Sequence, residues 1–217
     1  YKRQTHSNVT AADIEGMIEE YDLSIRPRDY QIEAYKFAIE HERGMVISPT
    51  ASGKSLIIYM LCRHYLNMIN NNILIIVPTT SLVEQLYKDF KDYGYDVETN
   101  VSRKYHGYDI DEDKRIVIST WQSLYKMPKK FFEDYGAVIG DEAHLFKAVS
   151  LTKIMTKLTD CKYRIGLTGT LDDSKTHKLV LQGLFGTVNR VVSTKQLIDK
   201  KQLAQLKVMC LNLKYPE

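Results

Sequence analysis

The residue types needed to bind phosphate occur together at residues 48–55, where a turn ends in Gly53-Lys54-Ser55 and an apolar helical pattern follows. A strand, a turn and a helix N-terminus in this order are typical of a P-loop, whose backbone N–H groups and helix dipole attract an anion. Gly53 lets the backbone approach phosphate closely, because it has no side chain to collide with it. We expect Lys54 to reach the β- and γ-phosphates of ATP and the Ser55 hydroxyl to bind Mg²⁺.

The loop departs from the general P-loop pattern at two positions. Ser48 stands where the pattern opens with glycine, and Ala51 stands where a second glycine is common. On its own, the loop is therefore also compatible with an ordinary serine- and glycine-rich turn before a helix. If it is a P-loop, Pro49, Thr50, Ala51 and Ser52 surround the phosphates together with the three residues that follow.

Two adjacent acids, Asp141 and Glu142, follow directly after the apolar run 137–140. In a magnesium–nucleotide site the first acid would hold Mg²⁺ through water, and the second would polarise the attacking water as a general base. Alone, the pair would more simply be a solvated turn with a capping aspartate. At the end of a buried strand that neighbours the strand before the loop, the pair instead favours nucleotide hydrolysis, with Lys54 as the third catalytic residue.

Short hydrophobic runs alternate with helical patterns along the chain, at the spacing of an α/β protein. Predicted strands occupy residues 45–48, 73–77, 115–119, 137–140 and 163–167. The run Ile73-Leu74-Ile75-Ile76-Val77 is apolar on both faces, which is typical of a central parallel strand. We therefore expect a P-loop domain with a mostly parallel sheet, helices on both faces, and a ligand crevice at the carboxyl ends of the strands.

Other segments have weaker patterns. Thr10, with Asp13 three residues later, predicts a capping box that opens a short helix to about Glu20. Gly44 is expected to end the helix that precedes the loop. The remaining expectations are a strand over 95–100, a surface loop over 102–114, a helix from Pro128, and strands over 188–192 and 206–213 around a short helix over 194–198.

The composition is that of a globular chain of 217 residues, 44% hydrophobic and 26% charged, which is long enough to bury a sizeable core. A net charge of +3 permits a nucleic-acid partner without arguing for one, because the basic residues are spread along the chain. Cys62, Cys161 and Cys210 lie far apart, so neither a zinc site nor a disulfide framework is predicted, and a reducing, cytoplasmic setting fits. No signal peptide or membrane-length apolar run is visible. The chain begins at Tyr1 instead of Met, and we expect it to be a fragment.

Six segments occur in the order found in one helicase family and together cover roughly residues 25–170. They are Arg28-Asp29-Tyr30-Gln31, the loop at 48–55, Val77-Pro78-Thr79-Thr80, Ser119-Thr120-Trp121-Gln122-Ser123, Asp141-Glu142-Ala143-His144 and Leu167-Thr168-Gly169-Thr170. On these segments the chain resembles the first RecA-like motor domain of superfamily 2 helicases with a DEAH-box-type acidic motif. Within that superfamily it is most similar to the phage recombination helicases and their XPB-like and RecG-like relatives.

The resemblance implies roles for residues around the nucleotide. Gln31 would read the adenine edge, with Arg28 lining the same pocket, although the residue types alone favour an ordinary surface helix start. His144 would couple the state of the nucleotide to Thr168-Gly169-Thr170, and so link hydrolysis to DNA movement. A lone histidine is more often a core or surface residue, so this role depends on the resemblance.

The resemblance also implies contacts with nucleic acid. Hydroxyl groups and helix N-termini position a strand through its phosphates without reading its sequence. The residues expected to make such contacts are Thr79, Thr80, Thr120 and Ser123. They are equally suited to capping the helices that follow, and the two roles are compatible. The basic clusters at 103–104 and 126–130 could add phosphate contacts or form solvated surface, and core packing is preferred over base stacking for Trp121.

Together these implications predict an ATP- and Mg²⁺-dependent DNA helicase or translocase that acts on single-stranded or branched DNA during recombination and replication. The expected organisation is a helical lead-in at 1–24, a RecA-like ATP-binding domain at 25–172, and a connection at 173–217 toward a second RecA-like domain of the same chain. Because that second domain supplies arginine fingers, the fragment is expected to bind nucleotide weakly and hydrolyse it poorly. Open alternatives are an RNA helicase, a restriction-type translocase, and a nucleotide-gated nucleic-acid clamp that does not unwind.

Overall fold

The structure is a computed structural model that describes residues 9–49, 51–105, 110–111, 113–146, 148–170 and 175–201. This part of the chain forms one sheet of seven strands, and every pairing in it is parallel. The strands are β1 (Arg43–Ile47), β2 (Asn72–Val77), β3 (Val101–Lys104), β4 (Ile116–Thr120), β5 (Tyr135–Gly140), β6 (Tyr163–Thr168) and β7 (Thr187–Arg190). Their order across the sheet is β3-β4-β2-β5-β6-β1-β7. The predicted α/β fold with a parallel sheet is confirmed.

Helices cover both faces of the sheet, as predicted. The α-helices are α1 (Ala11–Glu20), α2 (Asp29–Glu40), α3 (Lys54–Met68), α4 (Thr80–Asp92), α5 (Val97–Asn100), α6 (Trp121–Tyr125), α7 (Ala148–Lys157), α8 (Lys175–Phe185) and α9 (Thr194–Asp199). Two short 3₁₀ helices lie at Lys129–Phe132 and Ala143–Leu145. Helices α1 to α5 contribute to the hydrophobic core on one face, and α6, α7 and α8 contribute to the core on the other.

Strand β2 packs against a hydrophobic core on each face of the sheet. Ile73, Ile75 and Val77 point into the core under α3 and α4. Leu74 and Ile76 point into the opposite core, under α7 and α8. All five side chains are completely buried. Since a buried aliphatic side chain contributes about 1.5–3 kcal/mol, both faces of the strand stabilise the fold, and the run therefore lacks polar alternation.

The strand that leads into the P-loop, β1, is not adjacent to β5, which precedes the acid pair. Strand β6 lies between them and pairs with both. The expectation that the two strands are direct neighbours is therefore wrong, because an apolar run shows that a strand is buried but not where it sits in the sheet. Strand β6 ends at Thr168, whose carbonyl accepts the Ser48 N–H at 2.9 Å. The two halves of the site are thus joined through β6.

The predicted strand over 95–100 is also wrong. The segment contains the short helix α5, because the Asp96 side chain caps it by accepting the Thr99 N–H at 3.2 Å. The strand of this region is β3, and most of it falls inside the segment 102–114 that was expected to be a surface loop. A local side-chain cap has therefore outweighed the β-propensity of the neighbouring residues.

Gly44 belongs to strand β1 and does not end a helix. Helix α2 stops at Glu40, and Gly44 is the second residue of the strand. A Cβ at this position would lie 2.8 Å from the Phe37 ring. The glycine therefore allows α2 to pack closely on β1, which brings the start of α2 near the P-loop.

The remaining elements agree with the predictions within a few residues. Thr10 Oγ1 accepts the Asp13 N–H at 3.2 Å and Asp13 accepts the Thr10 N–H at 2.9 Å, which confirms the capping box. A 3₁₀ helix follows Pro128 in place of an α-helix, and β7 corresponds to the strand expected over 188–192. The strand expected over 206–213 lies outside the described residues.

Two further predictions concern cysteines and the membrane. Cys62 and Cys161 are both buried and free, and Cys210 lies outside the described residues. Burial raises the pKa of the Cys161 thiol to about 12, which keeps it protonated and unreactive. Within the described ranges, no helix is both long enough and apolar enough to cross a membrane.

Two glycines let α8 lie close beneath the acid pair. A Cβ at Gly140 would lie 3.0 Å from the Phe185 ring, and a Cβ at Gly166 would lie 3.1 Å from it. Phe185 is completely buried, so a larger residue at either glycine would push α8 away from the sheet. Because Asp141 follows Gly140 directly, this packing also determines the position of Asp141.

Candidate nucleotide-binding site

The P-loop has a backbone conformation that its own side chains help to hold. Ala51 has a φ of 64° and Gly53 a φ of 76°, so both lie in the left-handed region. This region costs a residue with a Cβ roughly 1 kcal/mol or more. Ser48 Oγ donates to Ser52 Oγ at 2.7 Å, and the Ser52 N–H donates to the Pro49 carbonyl at 3.1 Å. These bonds offset the strain and keep the turn closed.

Lys54 contacts both the P-loop and the acid pair. Its Nζ lies 2.9 Å from Glu142 Oε1 and 3.5 Å from the Ser48 carbonyl oxygen. The Lys54 side chain is only 7% exposed and that of Glu142 16%, so the pair is weakly screened by solvent. The structure therefore brings together the three residues predicted to be catalytic, since Asp141 directly precedes Glu142.

Asp141 is buried beside this ion pair. Burial, followed by the negative charge of Glu142, raises the pKa of Asp141 to about 6, while Lys54 and the Glu142 N–H partly oppose the shift. Asp141 Oδ1 accepts that N–H at 2.9 Å. One lysine thus faces two carboxylates, which leaves an excess of negative charge that a bound cation would neutralise.

The donor set fits Mg²⁺, which is usually held by one or two carboxylates, water and substrate phosphates. Across the described residues, no group of three or more His, Cys, Asp or Glu side chains converges on one point. Asp141 would therefore hold the ion together with the phosphates of a nucleotide, and not as part of an all-protein cage.

Glu142 has a strained backbone that other residues hold in place. Its φ is 47° and its ψ is 46°, which is the left-handed conformation. Besides the ion pair with Lys54, its Oε2 accepts the Gly169 N–H at 3.4 Å and lies 3.5 Å from His144 Nδ1. Strained, over-determined residues of this kind often occur at functional sites.

The residues predicted to couple nucleotide and DNA are also in contact. His144 Nδ1 lies 2.7 Å from Thr168 Oγ1, and the Thr168 hydroxyl donates to the Thr170 carbonyl at 2.7 Å. Because the hydroxyl has a single proton to donate, His144 Nδ1 must be the donor to Thr168. A continuous set of contacts therefore runs from Glu142 through His144 to the end of β6.

Ser55 is oriented toward α4. Its Oγ lies 2.8 Å from the hydroxyl oxygen of Tyr93, the residue that directly follows α4. The structure therefore does not bring the Ser55 hydroxyl together with the acid pair in the way that it brings Lys54 there. The role of Ser55 at a metal stays a prediction, and a metal ion would compete with both Tyr93 and Asp89 for this side chain.

Gln31 lies against the outer side of the P-loop. Its Nε2 donates to the Ser52 and Gly53 carbonyls, each at 3.1 Å, and its Oε1 accepts the Arg28 N–H at 2.8 Å. Gln31 is 5% exposed, so its amide is engaged mainly with the backbone. Its reading of adenine, with Arg28, stays a prediction. Thr50 lies outside the described residues.

The residues predicted to contact nucleic acid lie together at the carboxyl ends of β2 and β4, which are adjacent strands. Thr79 caps α4 by accepting the Leu82 N–H at 3.3 Å. The hydroxyls of Thr120 and Ser123 lie 3.0 Å apart at the start of α6. Thr79 and Thr80 are exposed, whereas Thr120 is buried. The capping role is therefore present for Thr79, and the phosphate contacts stay predictions.

The basic cluster at 103–104 and Trp121 have clear local partners. Arg103 Nη1 lies 2.7 Å from Glu84 Oε2, and its guanidinium lies 4.0 Å from the centre of the Tyr87 ring. The charge of Arg103 is thus locally balanced.

Trp121 is half-buried and packs against the core that contains α7 and α8, in agreement with the prediction that it packs in the core instead of stacking on a base.

Two residues of the site were missed at the level of sequence. Tyr30 donates its hydroxyl proton to the Ser52 carbonyl at 2.8 Å, and Tyr93 contacts Ser55. Tyrosine is abundant in this chain, with 15 residues, so residue type carries no signal. For Tyr30 the position next to Gln31 was the one available clue.

Comparison with known proteins places this geometry in a family. The family model described as "Type III restriction enzyme, res subunit" matches residues 24–173. The ATP-dependent DNA helicase UvsW of Enterobacteria phage T4 is 35% identical over 197 residues, which cover 89% of this chain and 39% of that protein. The DNA 3′-5′ translocase XPB2 of Sulfurisphaera tokodaii is 31% identical, over 71% of this chain and 33% of that protein.

Solved structures agree with the sequence matches. The crystal structure of the UvsW helicase from bacteriophage T4 superimposes with a TM-score of 0.80 and 30% identity, covering 86% of this chain and 70% of that chain. The chain spans about two fifths of the length of the curated phage helicase that it matches, 39%. The expected resemblance is confirmed: the chain belongs to the family of type III restriction enzyme res subunits and is a superfamily 2 helicase motor domain with a RecA-like fold.

Proposed function

We propose that the chain is the first motor domain of an ATP-dependent DNA helicase or translocase, with residues 25–172 binding ATP and residues 173–217 leading to a second RecA-like domain. The contact between Lys54 and Glu142, beside the buried Asp141, carries this proposal. This cluster contains a cation suited to binding phosphate, a carboxylate suited to binding a metal and a carboxylate suited to activating water. The names of the relatives, an ATP-dependent DNA helicase and a DNA translocase, support ATP and DNA as ligands.

In the proposed reaction, Lys54 moves from Glu142 to the γ-phosphate of ATP. Glu142 then accepts a proton from the attacking water, and Asp141 holds Mg²⁺. When bound, Mg²⁺ neutralises the charge shared by the β- and γ-phosphates. Asp141 would have to be ionised to hold the cation, in opposition to the burial that raises its pKa.

Coupling to DNA would begin at the same glutamate. Glu142 Oε2 contacts the Gly169 N–H and lies near His144, so movement of Glu142 alters contacts at the end of β6. Single-stranded or branched DNA would lie across the ends of β2 and β4. The side chains that line this edge are Thr79, Thr80, Thr120 and Ser123.

ATP hydrolysis in the presence of different nucleic acids tests the proposal. We expect a protein with both motor domains to hydrolyse ATP faster with branched DNA than with linear duplex DNA or RNA. The Glu142→Gln variant should bind ATP but lose turnover by at least about 100-fold, because the general base is gone. Unchanged turnover in that variant would remove Glu142 from the role of base.

A restriction-type translocase is the second candidate, and the description of the matching family favours it. Equal stimulation by linear duplex and branched DNA would support this candidate over a helicase for branched DNA. Stimulation by RNA alone would contradict both. Robust DNA-stimulated turnover by the 217-residue chain would contradict the proposal that a second RecA-like domain completes the site.

A further inference from the structure

Tyr30 joins the P-loop to the part of the chain that follows β7. It is the second residue of α2 and is 5% exposed. Its hydroxyl donates to the Ser52 carbonyl at 2.8 Å and accepts a hydrogen bond from Arg28 Nη1 at 3.0 Å. Its ring packs with Val192 and Leu197 in a small hydrophobic cluster separate from the two main cores.

The hydroxyl of Tyr30 helps to set the direction of a peptide group in the P-loop. In a trans peptide the C=O and N–H bonds point in opposite directions. The Ser52 carbonyl is held by Tyr30 and Gln31 on one side, so the Gly53 N–H of the same peptide points to the other side. Gln31 holds the Gly53 carbonyl in the same way and so directs the Lys54 N–H. Among the described residues, no backbone carbonyl accepts either of these two N–H groups.

The backbone around this peptide would not keep its shape unaided. Ala51 and Gly53, on either side of Ser52, both have positive φ angles. Such a turn persists only where neighbouring groups over-determine it. Tyr30 and Gln31 both donate to the Ser52 carbonyl, and the hydrogen bond from Tyr30 is the shorter, at 2.8 Å against 3.1 Å for Gln31.

The ring of Tyr30 extends this support to the segment after β7. That segment is itself attached to the strand before the loop, because the Val191 N–H donates to the Ile47 carbonyl at 3.3 Å. Val192 is 5% exposed and Leu197 1% exposed. The family match ends at residue 173, so this part of the support lies outside the segment that matches the family model.

We propose that Tyr30 is a positioning residue of the nucleotide site: it aims the Gly53 N–H at bound phosphate and makes the direction of that N–H depend on the packing of Val192 and Leu197. The proposal rests on the proposed nucleotide-binding function. It gives the segment 191–197 a part in phosphate binding without any contact to the nucleotide.

The Tyr30→Phe variant tests the hydroxyl, because it keeps the ring and its packing. Binding is measured with a fluorescent ATP analogue, and inorganic tripolyphosphate is used as a competitor that has no adenine. We expect both affinities to fall about five- to tenfold, the loss typical of one hydrogen bond. Tyr65→Phe is the matched control, because the buried Tyr65 hydroxyl has no hydrogen-bond partner in the described part of the chain. Wild-type affinity of Tyr30→Phe for both probes would overturn the proposal.

The Leu197→Ala variant tests the link to the segment after β7. We expect it to weaken tripolyphosphate binding several-fold, whereas the control Leu179→Ala, at a residue 67% exposed, should leave binding unchanged. Leu197→Val replaces it if Leu197→Ala lowers the melting temperature strongly. An unchanged affinity in a folded Leu197 variant would remove the link from the proposal.

The backbone amide resonance of Gly53 gives a readout that needs no nucleotide. In ¹⁵N-labelled protein without added ligand, Tyr30→Phe and Leu197→Ala should both shift this resonance, and Tyr65→Phe should not. If the wild-type chain binds neither probe, the proposed nucleotide-binding function fails. If the wild-type chain binds but the Gly53 resonance and the affinities are the same in Tyr30→Phe, the role of Tyr30 alone fails.

Discussion

Lys54 Nζ lies 2.9 Å from Glu142 Oε1, so the residue expected to bind phosphate is paired with the residue expected to activate water. Neither side chain is free to act while the pair is intact. A γ-phosphate offers Lys54 a more highly charged partner, and its arrival would release Glu142. If Lys54 and Glu142 have the roles proposed above, the pair makes activation of the base depend on the presence of the substrate.

Lys54→Ala should reduce ATP affinity by about 10- to 100-fold, the range expected when a hydrogen bond to a charged group is lost. The variant also leaves Glu142 half-buried without its cation, so we expect a lower midpoint of urea unfolding. Fluorescence titration with an ATP analogue measures the affinity. Lys36→Ala is the control, because the Lys36 side chain is 41% exposed and lies at the long distance of 3.9 Å from Glu40. Full binding by Lys54→Ala would contradict the P-loop assignment.

Tyr93→Phe should lower the Mg²⁺ concentration needed for ATP binding, by about two- to fivefold. The substitution removes the Tyr93 hydroxyl, one of the two groups that hold Ser55 Oγ, at 2.8 Å. The Asp89 side chain is the other, so Ser55 loses one of two competitors with a metal ion. A Mg²⁺ titration at fixed ATP analogue measures the midpoint. Tyr95→Phe serves as the control, because the Tyr95 ring packs on Tyr59. A midpoint that rises in Tyr93→Phe would show that Tyr93 assists the metal site.

Asp141→Asn should stabilise the metal-free protein at neutral pH. The pKa of Asp141 is raised to about 6, chiefly by burial. An acid whose pKa is higher in the folded chain than in the unfolded chain lowers the free energy of unfolding when it ionises. This loss of stability is absent below about pH 4, grows as the pH rises toward 6, and is complete above it. We expect a gain on the order of 2 kcal/mol in the free energy of unfolding at pH 7.5.

Urea unfolding in the presence of EDTA at pH 7.5, 6 and 4.5 measures this effect. The gain in Asp141→Asn should shrink steadily as the pH falls. Asp160→Asn changes an exposed aspartate and should give no trend of this kind. A gain that is constant across the three pH values would show that ionisation of Asp141 is not its cause.

Gly53→Ala should distort the P-loop strongly, although the substitution adds only one methyl group. An added Cβ would lie 2.5 Å from Gln31 Nε2, at a φ of +76°. We expect ATP affinity to fall at least about tenfold and the free energy of unfolding to fall by roughly 1–2 kcal/mol.

Gly16→Ala is the matched control for this substitution. Gly16 lies in α1, and among the described residues no atom is within 4 Å of the added Cβ. We expect a stabilisation of about 0.5–1 kcal/mol, because alanine is a better helix former than glycine. Thermal unfolding measures both variants. Similar effects from the two alanines would mean that the left-handed turn at Gly53 is not required.

The fold class could be predicted because the signal is local and repeated. Each buried strand is a short run without polar alternation, as in Ile73-Leu74-Ile75-Ile76-Val77, and such runs indicate a parallel sheet that is covered on both faces. The P-loop and the acid pair could be located because they follow these runs directly. The contact between Lys54 and Glu142 is a consequence of both lying at the carboxyl ends of the strands.

The parts that could not be predicted depend on contacts between distant segments. The insertion of β6 between β1 and β5 is a matter of strand order, which no single run encodes. The contact between Ser55 and Tyr93 depends on how α4 crosses α3, and the contact between Tyr30 and Ser52 depends on how α2 approaches the loop. At α5 the error was local, because one capping side chain, Asp96, decides between helix and strand.

The position of β1 between β6 and β7 determines when the nucleotide site can form during synthesis. A ribosome delivers the chain from its N-terminus, so the P-loop leaves the exit tunnel before either neighbour of β1 has been made. Ser48 must wait for the carbonyl of Thr168, and the ring of Tyr30 must wait for Leu197. Pairings between segments so far apart in sequence form late. We therefore do not expect ATP to act as a template for the early folding of its proposed site, and the growing chain should reach its full affinity for nucleotide only after the segment beyond β7 has emerged.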